Sequence, residues 1–282
     1  MGNKWFKLKY NLEAALKGHF SSILSFGGAF SNHIAASAKA CNLLKIPFIG
    51  IIRGEEPSTW NPTLIRARKE GMQAHFLSRF QYSQREQPYF LEYLREEWGN
   101  FYLIPEGGHN KLGVKGCEEI LEPASWLDSN QGDSSIKREH LVQYSHICCA
   151  VGTGTTLAGI INSAAPHQEI MGFGAMKNTG NLHDQICRFI RPGNRNKYSL
   201  WEEDHFGGFG RSKPELIRFM EKFFSNSGIP LDFIYTGKMM FRIQKMILDD
   251  YFPQGSRVLV IHTGGLQGNP LMVSEKLGYD SN

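Results

Sequence analysis

A chain of 282 residues with a formal charge of +4, 41% hydrophobic and 21% charged residues has a globular composition and room for one large domain or two ordinary ones. Basic residues are interleaved with acids, as in Arg66-Ala67-Arg68-Lys69-Glu70, which argues against nucleic-acid binding. No signal-peptide h-region is present and the longest apolar run, 46–52, is too short to cross a bilayer, so a cytoplasmic, soluble protein without membrane contact is expected.

In chain order, residues 22–26 read as a strand running into Gly27-Gly28, after which Ser31 or Asn32 caps a helix through Cys41. Residues 47–53 form an apolar strand buried on both faces. Asn61-Pro62 opens a helix ending near Gly71, and 74–77 is a short strand. Phe90, Leu91, Leu94 and Trp98 have helical spacing within 89–98. A strand over 101–104 precedes Pro105-Glu106-Gly107-Gly108 and a helix over 114–121. Residues 122–140 are polar and read as a mobile loop or insertion. A strand over 145–151 leads into a Gly/Thr loop and a helix to Ala165; 169–174 is a strand, and 191–212 is irregular and Gly-rich. A final core strand, 257–261, delivers His262-Thr263-Gly264-Gly265. The alternation predicts α/β architecture with open, mostly parallel twisted sheets and helices on both faces. Such sheets bind ligands at the carboxyl ends of their strands, where three of the motif segments lie.

Cys148 and Cys149 sit in an apolar stretch and read as buried strand thiols; Cys41, Cys117 and Cys187 complete an odd set without Cys-x-x-Cys spacing. This fits a reducing compartment. The ten histidines lack ligand spacing, so no metal site is expected.

The loop Val151-Gly152-Thr153-Gly154-Thr155-Thr156 can bring backbone N–H groups, hydroxyls and a helix N-terminus to an anion. A tight packing turn explains the same glycines. The loop lacks the Walker lysine and the dinucleotide fingerprint, which suits one phosphate better than a nucleotide. Lys4, in Gly2-Asn3-Lys4, is either a solvated side chain or, if desolvated by Trp5 and Phe6, a nucleophile towards an aldehyde. Ser31-Asn32-His33 reads either as a helix cap and nothing more or, on the functional reading, as a cap whose Ser31 and Asn32 also face the strand-end crevice.

These segments occur in a fixed order with Ile104-Pro105-Glu106-Gly107-Gly108 and Tyr235-Thr236-Gly237-Lys238 between them. The ordered set resembles the pyridoxal-phosphate-dependent aminocyclopropane-carboxylate deaminase and D-cysteine desulfhydrase family. The resemblance implies the type II fold of pyridoxal-phosphate enzymes and a homodimer. It implies a larger cofactor-binding domain from 1–16 and 117–282 and a smaller α/β domain from 17–116. Lys4 would form the internal imine with pyridoxal 5'-phosphate and move protons at the substrate α-carbon. Asn32 would bond the cofactor's 3'-oxygen, and Gly152, Thr153, Gly154, Thr155 and Thr156 would bind its phosphate. Tyr235 would stack on the ring or face the substrate, and Thr263 would meet the pyridine nitrogen. Ser31 would hold the substrate carboxylate or act near its reacting carbon, with Asn32, His33 and Phe209 also on the substrate side.

Deaminases of the cyclopropane amino acid resemble one another in a Glu directly after the stacking tyrosine, where this chain has Thr236. That difference, with His262-Thr263-Gly264-Gly265, resembles the desulfhydrase branch. The expectation is β-elimination from a small D-amino acid such as D-cysteine. The alternatives are 1-aminocyclopropane-1-carboxylate deamination and a truncated, inactive cofactor-binding relative. Two features depart from the pattern: relatives carry several tens of residues before Gly-Asn-Lys, and Phe209 stands where they often have tyrosine.

Overall fold

The computed structural model describes residues 2–122, 141–176, 181–266, 269 and 277. The segment 123–140, most of the expected insertion, lies outside them. The chain divides into two compact units, one of Met1–Phe6 with Val114–Asn282 and one of Lys7–Gly113.

The smaller unit is built on four parallel strands, β1 (Ser22–Gly28), β2 (Phe48–Arg53), β3 (Met72–Leu77) and β4 (Phe101–Ile104), in the order β3-β2-β1-β4. Alternate residues of β1 feed two cores. Ile23 packs with Leu8, Leu12 and Ala15 of α1 (Asn3–Lys17) and with residues of α2 (Asn32–Leu44) and α3 (Pro62–Lys69). Leu24 and Phe26 pack with Tyr82 of α4 (Arg79–Ser83) and with Phe90 and Leu94 of α5 (Pro88–Trp98). Both faces are therefore covered, as the apolar strands require.

The larger unit repeats this plan. Strands β5 (His146–Val151), β6 (Glu169–Gly174), β7 (Tyr198–Trp201) and β8 (Val258–Ile261) are parallel in the order β7-β6-β5-β8. Ile147, Cys149 and Val151 share a core with Cys117 of α6 (Lys111–Glu118), Leu157 and Ile160 of α7 (Thr155–Ser163) and Ile186 of α8 (Leu182–Cys187). Cys148 and Ala150 face Met239, Ile243 and Met246 of α10 (Thr236–Leu248). Helix α9 (Pro214–Ser227) packs on α10 through Leu216, Ile217 and Met220. Both adjacent strand cysteines are fully buried.

Several expectations need correction. The stretch 191–212 contains β7, whose alternation is too short to show in sequence. The final strand is half-buried and, among the described residues, lies at the sheet's edge with β5 as its one pairing partner. The helix expected over 114–121 starts earlier, at Lys111, and ends in a 3-10 turn over Glu119–Leu121. Helix α2 runs on to Leu44, where Lys45 at φ 58° ends it. Helix α1, unexpected from sequence, places Leu8, Leu12 and Ala15 one above another, which ties 7–16 to the smaller unit's core. The break between the units thus falls at Phe6/Lys7.

Candidate functional site

Each sheet reverses its strand order beside its first strand, and ligands of open α/β sheets bind at such points. In the larger sheet the reversal lies between β5 and β8. The loop 152–156 leaves one strand and His262-Thr263-Gly264-Gly265 leaves the other. Gly154 has φ 81°, and an added Cβ would lie 2.6 Å from Ile186 Cγ1, so only glycine fits the turn. Helix α7 starts there with no side chain capping it among the described residues. Its first-turn N–H groups and positive end face whatever occupies the loop. Thr155 and Thr156 are buried, and the Thr153 and Thr155 hydroxyls are 3.1 Å apart.

The first turn of α1 joins these loops. Gly2 has φ 54°, and a Cβ on it would come 2.3 Å from the Thr263 carbonyl oxygen. The Asn3 backbone N–H donates to that oxygen at 3.4 Å. The buried Asn3 side chain donates from Nδ2 to Thr156 Oγ1 at 2.9 Å, and its Oδ1 accepts from Lys4 Nζ at 2.9 Å. Lys4 is half-buried. Phe6 packs against the larger unit's core, whereas Trp5 is exposed.

Tyr235 lies against the same loop: a Cβ on Gly152 would sit 3.3 Å from its ring and hydroxyl. The Phe209 ring meets Tyr235 edge-on at 6.1 Å. Asp232 holds this tyrosine in place. Its Oδ1 accepts from the Ile234 and Tyr235 N–H groups at 3.0 and 2.7 Å. Its Oδ2 accepts from the Thr236 N–H and hydroxyl at 3.0 and 2.6 Å. Burial pushes the Asp232 carboxyl up, and these hydrogen bonds pull against it. Thr236 is fully buried, so its side chain is committed to Asp232. Lys238, in the next positions of the motif, is buried with Nζ donating to Gly208 O at 2.8 Å and Ala175 O at 3.4 Å. Desolvation pushes its ammonium down to about 8, partly offset by Asp232. It thereby ties the loop carrying Phe209 to the end of β6.

His262 is exposed. Its Nδ1 accepts from the Gly264 N–H at 3.2 Å, and Nε2 lies 2.9 Å from Pro230 O, which fixes the Nε2–H tautomer.

In the smaller unit the reversal lies between β1 and β4. Ser31 is the N-cap of α2, its Oγ accepting from the Ile34 N–H at 3.2 Å. His33 Nε2 lies 2.8 Å from Ser25 Oγ, which donates to the Ile104 carbonyl at 2.7 Å and so ties the helix start to both central strands. The Asn32 amide oxygen is buried without a hydrogen-bond partner among the described residues.

The structure thus links Lys4, Thr156 and Thr263 through Asn3, and joins Gly152, Tyr235 and Phe209. Ser31, Asn32 and His33 share one helix start in the other unit. Sequence reading gave no role to Asn3, Asp232 or Lys238. Asn3 was inside the quoted motif, and Asp232 stands four residues before Thr236, but both act through hydrogen bonds that a linear pattern does not display.

Among the described residues no group of three or more His, Cys, Asp or Glu side chains is arranged to hold a metal ion, and no helix is long and apolar enough to cross a membrane. No family model matches the chain. A bifunctional D-cysteine desulfhydrase/1-aminocyclopropane-1-carboxylate deaminase, mitochondrial, of Arabidopsis thaliana is 28% identical over 95% of this chain and 69% of its own length. A putative 1-aminocyclopropane-1-carboxylate deaminase of Thermotoga maritima is 29% identical over 95% and 85%. A crystal structure of an ACC deaminase homologue superposes with a TM-score of 0.78 at 23% identity, covering 99% of this chain and 84% of that one. The fold is the type II fold of pyridoxal-phosphate enzymes. In sequence, the chain is similar to proteins named 1-aminocyclopropane-1-carboxylate deaminase and D-cysteine desulfhydrase.

Proposed function

We propose that this protein is a pyridoxal-phosphate-dependent lyase that converts a small amino acid, D-cysteine as the favoured substrate, with water to an α-keto acid, ammonia and sulfide. The observation that carries it is the Asn3 junction, which binds the amine of Lys4 and the hydroxyl of Thr156 at one open helix start. A lone phosphate matches that start in size, charge and donor set. The buried Asn32 oxygen, which has no partner among the described residues, also suits a ligand, since the amide can turn to present its nitrogen to an acceptor.

Bound pyridoxal phosphate would supply the electron sink for the substrate α-carbon. Lys4 supplies the amine that holds it and carries the proton at that carbon. Residues 152–156 hold the phosphate. Tyr235, fixed by Asp232, offers its ring face and hydroxyl. Thr263 offers a hydroxyl to the pyridine nitrogen; unlike a carboxylate it does not enforce ring protonation, which favours prompt elimination. Asn32 takes the 3'-oxygen, while Ser31, His33 and Phe209 belong to the substrate side. A homodimer and a cytoplasmic location belong to the same proposal.

The second reading, deamination of 1-aminocyclopropane-1-carboxylate, is supported by the names of both relatives above. Initial rates on the two substrates separate them. The decisive test is to load the chain with pyridoxal phosphate, reduce with borohydride and map the label. Label on Lys4 is expected, with pyruvate and sulfide released from D-cysteine. Lys4→Ala protein that releases keto acid as fast as the parent would overturn the assignment.

A further inference from the structure

Asn3 makes three hydrogen bonds, each to a different part of the site: Thr263 O, Thr156 Oγ1 and Lys4 Nζ. We propose that Asn3 is a positioning residue that sets the Lys4 amine and the donor direction of the phosphate loop together. This rests on the function proposed above and deepens it.

The chemistry fixes which way the amide faces. An ammonium only donates, so its partner must be the amide oxygen, which leaves Nδ2 for Thr156. The weak Sγ–H of Cys117 also points to Thr156 Oγ1, at 3.9 Å. With both lone pairs of that hydroxyl met by donors, its hydrogen is left to donate to an anion in the loop. Thr156 is therefore biased towards giving a hydrogen bond, and the bias comes from Asn3. The same side chain limits where the Lys4 ammonium can rest. Burial makes the arrangement stiff, since an Asn3 amide turned the other way would set N–H against ammonium.

Two readouts separate this role from a merely structural one: the affinity for pyridoxal phosphate, by its visible absorbance, and the rate of borohydride labelling of Lys4 at saturating cofactor. Asn3→Ala is expected to weaken cofactor affinity about 10-fold or more, the size of losing a buried side-chain hydrogen bond, and to slow labelling. Thr156→Val removes only the loop partner; it should weaken affinity while leaving the labelling rate near the parent's. In the double variant the affinity losses should not add. Should Asn3→Ala fail to fold, Thr156→Val and Asn3→Asp, which keeps the acceptor for Lys4, carry the same test. Labelled parent protein with unchanged affinity and rate in Asn3→Ala, or additive losses in the double variant, would overturn the Asn3 role alone. A parent that takes no label on Lys4 would overturn the proposed function as well.

Discussion

Two helices of this protein start in the same way and finish the start differently. In the smaller unit a parallel strand, a Gly-Gly turn and Ser31 lead into α2, and the serine's own oxygen meets the helix N–H of Ile34. In the larger unit a parallel strand and a Gly-Thr-Gly turn lead into α7 with no side-chain cap among the described residues. Both lie where the strand order reverses. A capped start has spent its anion-binding capacity on itself and can only present its side chains. An uncapped one keeps open donors and the helix dipole for a ligand. Helix α10 gives a third solution, in which Asp232 sets its carboxyl oxygens against the N–H groups leading into the helix and thereby positions Tyr235.

The largest effect should come from closing the open start. Gly154→Asp puts a carboxylate where the ligand's phosphate would be and a Cβ 2.6 Å from Ile186 Cγ1 at φ 81°. Retained pyridoxal phosphate, read by absorbance after gel filtration, should fall to background. The strained backbone should also cost about 1–3 kcal/mol in thermal unfolding. Cofactor retention at the parent's level would end the contrast between the two starts.

A change at α10 sharpens the comparison. Thr236 donates to Asp232 Oδ2 at 2.6 Å and is fully buried. Thr236→Glu would set two carboxylates together without water, so one must take a proton or the segment must move. A loss of about 3–5 kcal/mol is expected, the scale of an uncompensated buried charge, measured by urea unfolding. The variant should gain no turnover of the cyclopropane amino acid. A stable variant with that activity would show that residue 236 alone chooses between the two reactions.

The sequence made these starts legible to different degrees. The Gly-rich turns after apolar strands were visible because strand and turn residues are local signals. Ser31 was legible as a cap for the same reason. Helix α1 was not, since its apolar residues Leu8, Leu12 and Ala15 alternate with polar ones such as Lys9, Asn11 and Glu13 and gain meaning only against the smaller unit's core. Strand β7 was hidden in a Gly-rich stretch because pairing with β6, not its own pattern, makes it a strand. Asp232 and Lys238 escaped because an isolated charge in sequence reads as surface, while here each is buried by contacts from other segments. Residues inside a motif were legible as candidates; the buried groups that hold them by hydrogen bonds were not.

The smallest effect belongs to Ser31→Ala. Removing the cap should cost about 1 kcal/mol, since one N–H, that of Ile34, loses its acceptor. Thermal unfolding measures that loss. Steady-state kinetics on D-cysteine then divide the two roles proposed for this residue. A cap alone predicts lower stability with KM unchanged, because α2 stays pinned by His33 to Ser25 and by Ser25 to Ile104. A hydroxyl that also holds the substrate carboxylate predicts a raised KM on top of the same stability loss. Ser31 would then be the one residue at this helix start that caps and recognises at once, a combination open to a serine because its oxygen accepts from the helix while its hydrogen remains free to donate.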